Sequence, residues 1–337
     1  MAVMKKTKIS SFLILLFGIV FISCGSSNDD DDITTEFGAV FVSSNTTPVV
    51  GIYDFSSSTV SSIQFGLSSS DSDGIIYKSE SDELYIASRT NNRVEVYTDL
   101  KQTEASLNIE LAFSSSTDFA NARKLAASGS KVVVSQDASG DNNQTNAFYV
   151  YEIGDNSATL ANTYTADIHL WDIQFSGSTL YAIQDNSDTL AVYNNFLSNS
   201  DGLVSPNVKV QIEGIVRTHA LHYSASEDIM FLSDIGDAGS DSDGAIHVIT
   251  NFSSKIAAAG NNGTISSADQ IVIEGSNTEL GNPVGLAYNA ESQKIYVAER
   301  AVAEGKLLEF DLPSSNGNVS PTYSQNFAGA AAVYFSN

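Results

Sequence analysis

The feature that most limits what this chain can fold into is that it repeats itself. A short apolar run with a polar tail returns as ELYIASR at Glu83–Arg89, KVVVSQD at Lys131–Asp137, TLYAIQD at Thr179–Asp185, DIMFLSD at Asp228–Asp234 and KIYVAER at Lys294–Arg300. The first apolar positions, Leu84, Val132, Leu180, Ile229 and Ile295, lie 48, 48, 49 and 66 residues apart. The longer interval holds an insertion rich in Gly, Ala, Asn and Ser around Ser253–Ser267, and a degenerate sixth copy stands at Val40–Asn45. Behind each full copy, after a polar turn, comes a second alternating run: Val94–Tyr97, Phe148–Tyr151, Leu190–Tyr193, Ile246–Ile249 and Leu307–Phe310. Ahead of each lies a shorter one: Ile75–Tyr77, Leu125–Ala127, Ile173–Phe175, Leu221–Tyr223 and Leu286–Tyr288. A looser fourth run trails, as at Val208–Ile212 and Ile271–Ile273. Period-two runs of this length, separated by Asn, Asp, Gly and Ser, predict one four-stranded antiparallel sheet per repeat. Only the N-terminal apolar segment reads as a helix of any length.

The two ends of the repeat region are complementary. The N-terminal unit has runs at Val40–Val42, Gly51–Tyr53 and Val60–Phe65 but no leading strand, while the chain ends on a spare one at Ala331–Phe335. Joined, they complete a sixth sheet and close a ring, which removes the open edges that a linear array would expose. A solenoid or a sandwich has no need of matching half-units. The expected fold is therefore all-β, a six-bladed β-propeller over residues 37–337 closed by its N- and C-terminal strands. With one cysteine, Cys24, no internal disulfide is available, and a composition 42% hydrophobic is enough for a packed core.

The segment Leu84–Tyr97 (LYIASRTNNRVEVY) resembles an NHL or YVTN-type propeller repeat, with weaker relatives at Ile295–Arg300 and Leu180–Asp185. The resemblance extends over about residues 37–337 as architecture and is close only in the second unit. Propellers of this kind bind ligands, act as scaffolds or catalyse reactions, so the resemblance implies the fold and leaves the function open.

The N-terminus predicts an address. Lys5, Lys6 and Lys8 precede an unbroken apolar run from Phe12 to Ile22. The run is too short for a bilayer span, which takes about 20 residues, and has the form of a signal peptide. Ser23 and Cys24 then resemble the lipobox of bacterial lipoproteins, although Phe21 and Ile22 depart from its usual Leu and small residue. The resemblance implies cleavage after residue 23 and acylation of Cys24. Gly-Ser-Ser-Asn and the acidic run Asp29–Asp32 follow, so residues 24–36 are expected to be a solvated, disordered tether. An acidic run just behind the lipidated cysteine also resembles the surface-export signals of some Gram-negative lipoproteins. The expected location is the outer membrane, facing either the periplasm or the cell surface. Without the three N-terminal lysines, 13 basic residues face 40 acidic ones, a formal charge of −27. Such a field repels phosphate backbones, which excludes nucleic acid as a partner and leaves the lipid as the membrane attachment.

Aligning the repeats exposes two polar rings. One closes the repeated run: Asn45, Arg89, Asp137, Asp185, Asp234 and Arg300. Its acidic members Asp137, Asp185 and Asp234 are candidate metal ligands, or else accept backbone hydrogen bonds and pair with neighbouring blades. The other lies at the start of each leading strand: Asp71 and Asp73, Asn121 and Arg123, His169 and Trp171, Arg217 and His219, Asn282 and Val284, with Asp172 after the lone tryptophan. Asp73, Arg123, His169, Trp171, Asp172, Arg217, His219 and Asn282 are thus candidate ligand-binding residues. An aromatic face among hydrogen-bonding groups suits a small polar ligand or a glycan, while the competing reading is that these groups close the channel on each other. Two matching loops, Ser70–Gly74 and Ser240–Gly244, both SDSDG, carry oxygens of the kind calcium takes, making Ca2+ the candidate cofactor; without a closing glutamate they read rather as solvated turns.

No catalytic signature is present. The four histidines, His169, His219, His222 and His247, form no His-x-x-x-His or His-Glu-x-x-His pattern, and neither a Gly-x-Ser-x-Gly elbow nor a phosphate loop occurs. The alternative enzyme is a divalent-metal lactonase, a family with six blades; Asn282–Gly285 resembles its Asn-Gly element, but the first-blade glutamate is missing. The expectation is a lipid-anchored binding or scaffold propeller whose partner is an envelope protein or a glycan. Replacing Cys24→Ser should move the protein from the membrane pellet to the soluble fraction in cell fractionation; retention of unaggregated protein in the pellet would contradict the anchor.

Overall fold

A computed structural model of the chain describes residues 39–104 and 107–336. The expected signal peptide, Cys24 and the acidic run lie outside the described residues. The described chain is a six-bladed propeller. Blade 1 is built by both ends of the chain, from Ala330–Ser336, Ala39–Ser44, Val49–Asp54 and Ser61–Gly66, in that order from the axis outward. Blades 2 to 6 follow in sequence. Their innermost strands are Ser72–Lys78, Ala122–Ser128, Leu170–Ser176, Thr218–Ser224 and Pro283–Asn289. Each is followed outward by the strand that carries the repeated run.

The hairpins form where the sequence supplies residues that tolerate a left-handed backbone. Asp82, Gly129, Gly177, Asp228 and Gln293 all have positive φ just before the second strand of their blades, and Asp, Asn and Gly adopt this region at least cost. The second strands are buried on both faces, as at Glu83–Ser88 and Lys294–Glu299, because every blade lies between two neighbours. The outer strands, such as Ser61–Gly66 and Tyr323–Asn326, alternate or face water. Interblade packing is mainly aromatic and aliphatic: Phe41 of blade 1 stacks on Tyr77 of blade 2 at 4.3 Å between ring centres, and Phe231 of blade 5 meets Tyr288 of blade 6 at 4.5 Å.

The ring closes as the sequence predicts. Ala330–Ser336 pairs antiparallel with Ala39–Ser44, Val42 facing Val333 and Val40 facing Phe335. Three features differ from expectation. The insertion of the fifth repeat contains a helix, Phe252–Ala259, which buries Phe252 against Tyr181 and Tyr223. Its start is held by Asp228, whose carboxylate accepts from the Ser253 backbone N–H and hydroxyl. Two short segments, Gly202–Val204 and Gly263–Ile265, add fifth, parallel strands to blades 3 and 4 and cover their outer edges. Among the described residues no helix is long and apolar enough to cross a membrane.

Removing residues 331–337 deletes the innermost strand of blade 1 and uncovers the ladder of Ala39–Ser44, so the truncated protein should be insoluble or melt far below the parent. The finer test is Phe41→Ala. Phe41 is fully buried, and truncation of such a ring costs about 3–5 kcal/mol, a large part of a typical margin of about 5–15 kcal/mol. Chemical denaturation should show that loss; a change below about 1 kcal/mol would mean the seam carries little of the fold.

Candidate functional site

The two rings seen in the sequence are one site. In an antiparallel hairpin the end of the second strand lies beside the start of the first, so Ser72 faces Ser88, Ala122 faces Gln136 and Thr218 faces Asp234. Both rings therefore meet at the mouth where the innermost strands begin, the upper mouth. A second device is repeated in every blade. The register slips by one residue near the start of each innermost strand, at Ser72/Gly74, Ala122/Leu125, Leu170/Ile173, Thr218/Leu221 and Pro283/Gly285. A bulge leaves an extra residue outside the ladder and turns its side chain. The bulged positions carry Asp73, Arg123 and Lys124, Trp171 and Asp172, and His219.

These groups are ordered by each other. Arg89 binds Asp73 at 2.9 Å and lies 3.6 Å from Asp71. Arg123 reaches across from blade 3 to Asp73 at 3.6 Å and to Asp137 at 3.3 Å. The other oxygen of Asp137 meets His169 Nδ1 of blade 4 at 3.0 Å. Farther round, Arg217 forks onto both oxygens of Asp185, at 2.9 and 3.1 Å. His219 Nε2 approaches the same carboxylate at 3.1 Å. Burial alone would raise Asp73, but Arg89, Lys124, Arg123 and Arg300 outweigh it and hold the carboxyl below its usual range. Asp185 is depressed in the same way, burial being outweighed by His219 and Arg217. Burial pushes His219 down to about 4, so at neutral pH the imidazole is uncharged and donates Nε2–H to Asp185. Its Nδ1 is then an acceptor, buried and without a hydrogen-bond partner among the described residues. Asn282 Oδ1 and Arg123 Nε are likewise buried and unpartnered.

Trp171 does not offer a face to a ligand. The Arg123 guanidinium lies 3.8 Å over its ring, His219 stacks parallel on it at 3.7 Å and 7°, and the residue is 6% exposed. The expected stacking of a sugar on this indole is corrected by that sandwich. Asp172 points below the mouth, accepting from the backbone N–H of Ile173 at 2.8 Å and of Leu221 at 2.9 Å, and so ties blade 4 to blade 5. Asn282 sits at its predicted place, its N–H donating to buried Glu299. His169 remains open, with 54% of its side chain exposed.

The three candidate metal ligands do not converge. Asp137 and Asp185 are engaged as above, and Asp234 accepts from the backbone N–H groups of Val216, Arg217 and Gly236. Among the described residues no group of three or more His, Cys, Asp or Glu side chains is placed to hold a metal ion. The twin loops part company. Ser240–Gly244 is an exposed turn in which Asp243 accepts from the Asp237 N–H, whereas Asp73 of the first loop is buried in the mouth and is not a solvated turn residue.

Two residues gain importance from the structure. Arg300 has no carboxylate within 4.0 Å among the described residues, and its guanidinium meets the carboxamide oxygen of Asn45, oriented to accept. Lys124, adjacent to the predicted Arg123, is fully buried below the mouth and donates to the carbonyl of Ala331. Sequence alignment of the repeats places Lys124 in the same row as Asp172, which is the signal that would have singled it out.

The depressed groups set a direction for acid. His219 stays unprotonated in the fold below its ordinary value near 6.5, so its contribution is present above that value and is lost as pH falls toward about 4. The depressed carboxyl of Asp185 loses its contribution at still lower pH, again as pH falls. Burial raises Asp172 to about 6 and opposes His219 by favouring the fold as it protonates, while buried His222, pushed down to about 4 in the same way as His219, adds to the loss and tips the balance. The melting temperature should drop between pH 6.5 and 4, and His219→Phe should flatten that slope. Asp185→Ala, which leaves Arg217 without its carboxylate, should cost about 3–5 kcal/mol. A pH profile unchanged by His219→Phe would contradict the assignment of the buried imidazole.

No family model and no curated protein matches the sequence. Solved structures match the fold. A chain of the nidogen/laminin complex aligns with TM-score 0.62 at 9% identity, over 89% of this chain and 98% of that one. A "putative 6-phosphogluconolactonase" from Bacteroides uniformis aligns with TM-score 0.59 at 11% identity, over 89% of this chain and 99% of that one. The WD40 β-propeller domain of Doa1 gives 0.50 at 11% identity, over 87% and 81%. At these identities the likeness establishes the propeller fold alone.

Proposed function

We propose that this chain is a lipid-anchored envelope propeller of the outer membrane that binds its ligand without transforming it, and that the upper mouth recognises a carboxylate-bearing glycan. The observation that carries this reading is where the cations are. The chain has five arginines in a sequence of formal charge −24, and four of them, Arg89, Arg123, Arg217 and Arg300, meet at this one mouth. Three are oriented by carboxylates, and Arg300 is held by an amide, which leaves its charge available to an anion. Guanidinium forks match carboxylates in geometry and retain charge at every physiological pH. Exposed His169 and the unpartnered oxygen of Asn282 supply further polar contacts for hydroxyl groups. An acidic protein partner presenting a carboxylate is the other occupant of the same chemistry, and it is an outcome of the test.

Calorimetry with an oligogalacturonate and its neutral methyl ester tests this. The acid should bind and the ester should not, with affinity falling as salt rises. Arg300→Gln should weaken binding about 10- to 100-fold, the loss of a charged hydrogen bond of about 1.5–3 kcal/mol. Equal binding of acid and ester would overturn the reading. Binding of native envelope proteins, lost with Arg300→Gln, would replace the glycan by an acidic protein.

A lactone hydrolase is the second reading, favoured by the fold shared with the 6-phosphogluconolactonase-like protein and by a cationic mouth suited to sugar acids. Hydrolysis needs a carboxylate or metal free to activate water, and the mouth carboxylates are engaged by arginine, histidine or backbone. Metal-dependent turnover of a lactone panel would put this reading first.

A further inference from the structure

Below the mouth lies a cavity of about 250 Å³, lined by the middle and end residues of the innermost strands. Its walls are the apolar side chains of Ile76, Ala126, Phe175, Ala287, Tyr334 and Phe335. Its polar lining is Lys124, Asp172, Gln174 and His222. Gln174 is engaged with the backbone of Tyr223, as donor and acceptor. The others keep hydrogen-bonding capacity that the fold does not use. Lys124 makes one side-chain hydrogen bond, to the Ala331 carbonyl, so two ammonium donors remain. Asp172 accepts one backbone N–H on each oxygen and keeps further lone pairs on both. The two groups occupy equivalent positions on neighbouring blades, yet their charged atoms do not come within 4.0 Å of each other. His222 lines the same space and has no hydrogen bond among the described residues, and burial pushes its imidazole down to about 4.

Buried charges of opposite sign are normally joined directly, because the cost of desolvation is recovered only by close contact. Here an amine and a carboxyl face one cavity without touching, burial pushing Lys124 down and Asp172 up, in a space smaller than the ~300–1,000 Å³ of drug-sized sites. We propose that the lower channel is a binding site for a small zwitterion with an apolar side chain, an α-amino acid in chemical class, its carboxylate at Lys124, its ammonium at Asp172 and its side chain against Phe175, Tyr334 and Phe335. The neutral His222 ring contributes a further donor or acceptor from blade 5. Unlike the mouth, this site selects a molecule of zero net charge, so the acidic field of the protein neither repels nor attracts it at a distance. It does not depend on the glycan reading, because none of the mouth arginines lines the cavity.

Titration calorimetry of the full chain with L-leucine and L-phenylalanine, and with the amide and N-acetyl derivative of each, tests the site. The free amino acids should bind, and each derivative, lacking one charge, should bind at least about tenfold more weakly. Ala127 lines the same cavity and is only partly buried, so Ala127→Leu and the larger Ala127→Phe fill the space without replacing either charge, and both should abolish binding while leaving the protein folded. Lys124→Met should reduce a free amino acid to the affinity of its amide, whereas Arg300→Gln should change nothing. Absence of heat for both amino acids with folded protein would mean that water alone bridges Lys124 and Asp172, and would overturn the proposal. Equal affinity for the blocked derivatives, or binding that survives both cavity-filling variants, would also overturn it.

Discussion

The pairing of Ala330–Ser336 with Ala39–Ser44 is the interaction on which the rest of this structure depends. Blade 1 exists only because the two ends of the chain meet, and no internal disulfide fastens the ring, since the chain has a single cysteine, which lies outside the described residues. The seam fixes more than closure. Asn45 follows the first strand and meets Arg300 of blade 6, Ser43 donates to the Ser72 carbonyl of blade 2 at 2.7 Å, and Lys124 of blade 3 donates to Ala331. Hydrogen bonds from three other blades thus end on the seam blade. A ring that opened there would lose the registration of its channel as well as its edge.

The same economy explains how one mouth comes to hold so much charge. A bulge in each innermost strand turns side chains toward the axis, and the hairpin brings the tail of the repeated run alongside. Carboxylates from one blade then meet arginine or histidine from the next, as Asp137 meets His169 and Asp185 meets Arg217. Desolvation favours neutral carboxyls at such sites, but Arg89, Lys124, Arg123 and Arg300 reverse the sign for Asp73, as His219 and Arg217 do for Asp185. Asp172 lies one step lower, next to a single lysine, and there desolvation prevails. Two adjacent levels of one channel therefore differ in electrostatic character: an ion lattice above, and separated charges in an apolar cavity below.

How much of this was legible in the sequence follows from the range of the interactions. Strand positions and the closing half-units were legible because a two-residue period and a repeat of about 48 residues are local signals. The mouth residues Asp73, Arg123, His169, Trp171, Arg217, His219 and Asn282 were legible as a row because repeats align. What each one touches was not. The sandwiching of Trp171 by Arg123 and His219 depends on blades 3, 4 and 5 meeting at bulges, and no spacing encodes it. The helix Phe252–Ala259 was hidden because its eight residues show only Phe252 and Ile256 as large apolar side chains, and its support comes from Asp228, Tyr181 and Tyr223. The three-residue strands at Gly202–Val204 and Gly263–Ile265 are too short to show a period at all.

Because the seam sets the registration of both the mouth and the cavity, its local stability is the quantity that matters most. Native-state hydrogen exchange on the full chain measures it directly, by comparing the opening free energy of amides in Ala39–Ser44 and Ala330–Ser336 with that of the innermost strands Ala122–Ser128 and Thr218–Ser224. The closed ring predicts that seam amides exchange only through global unfolding, with the same free energy and the same denaturant dependence as those of the other innermost strands. Seam amides that exchange through a separate, low-energy opening while blades 3 and 5 stay protected would contradict it.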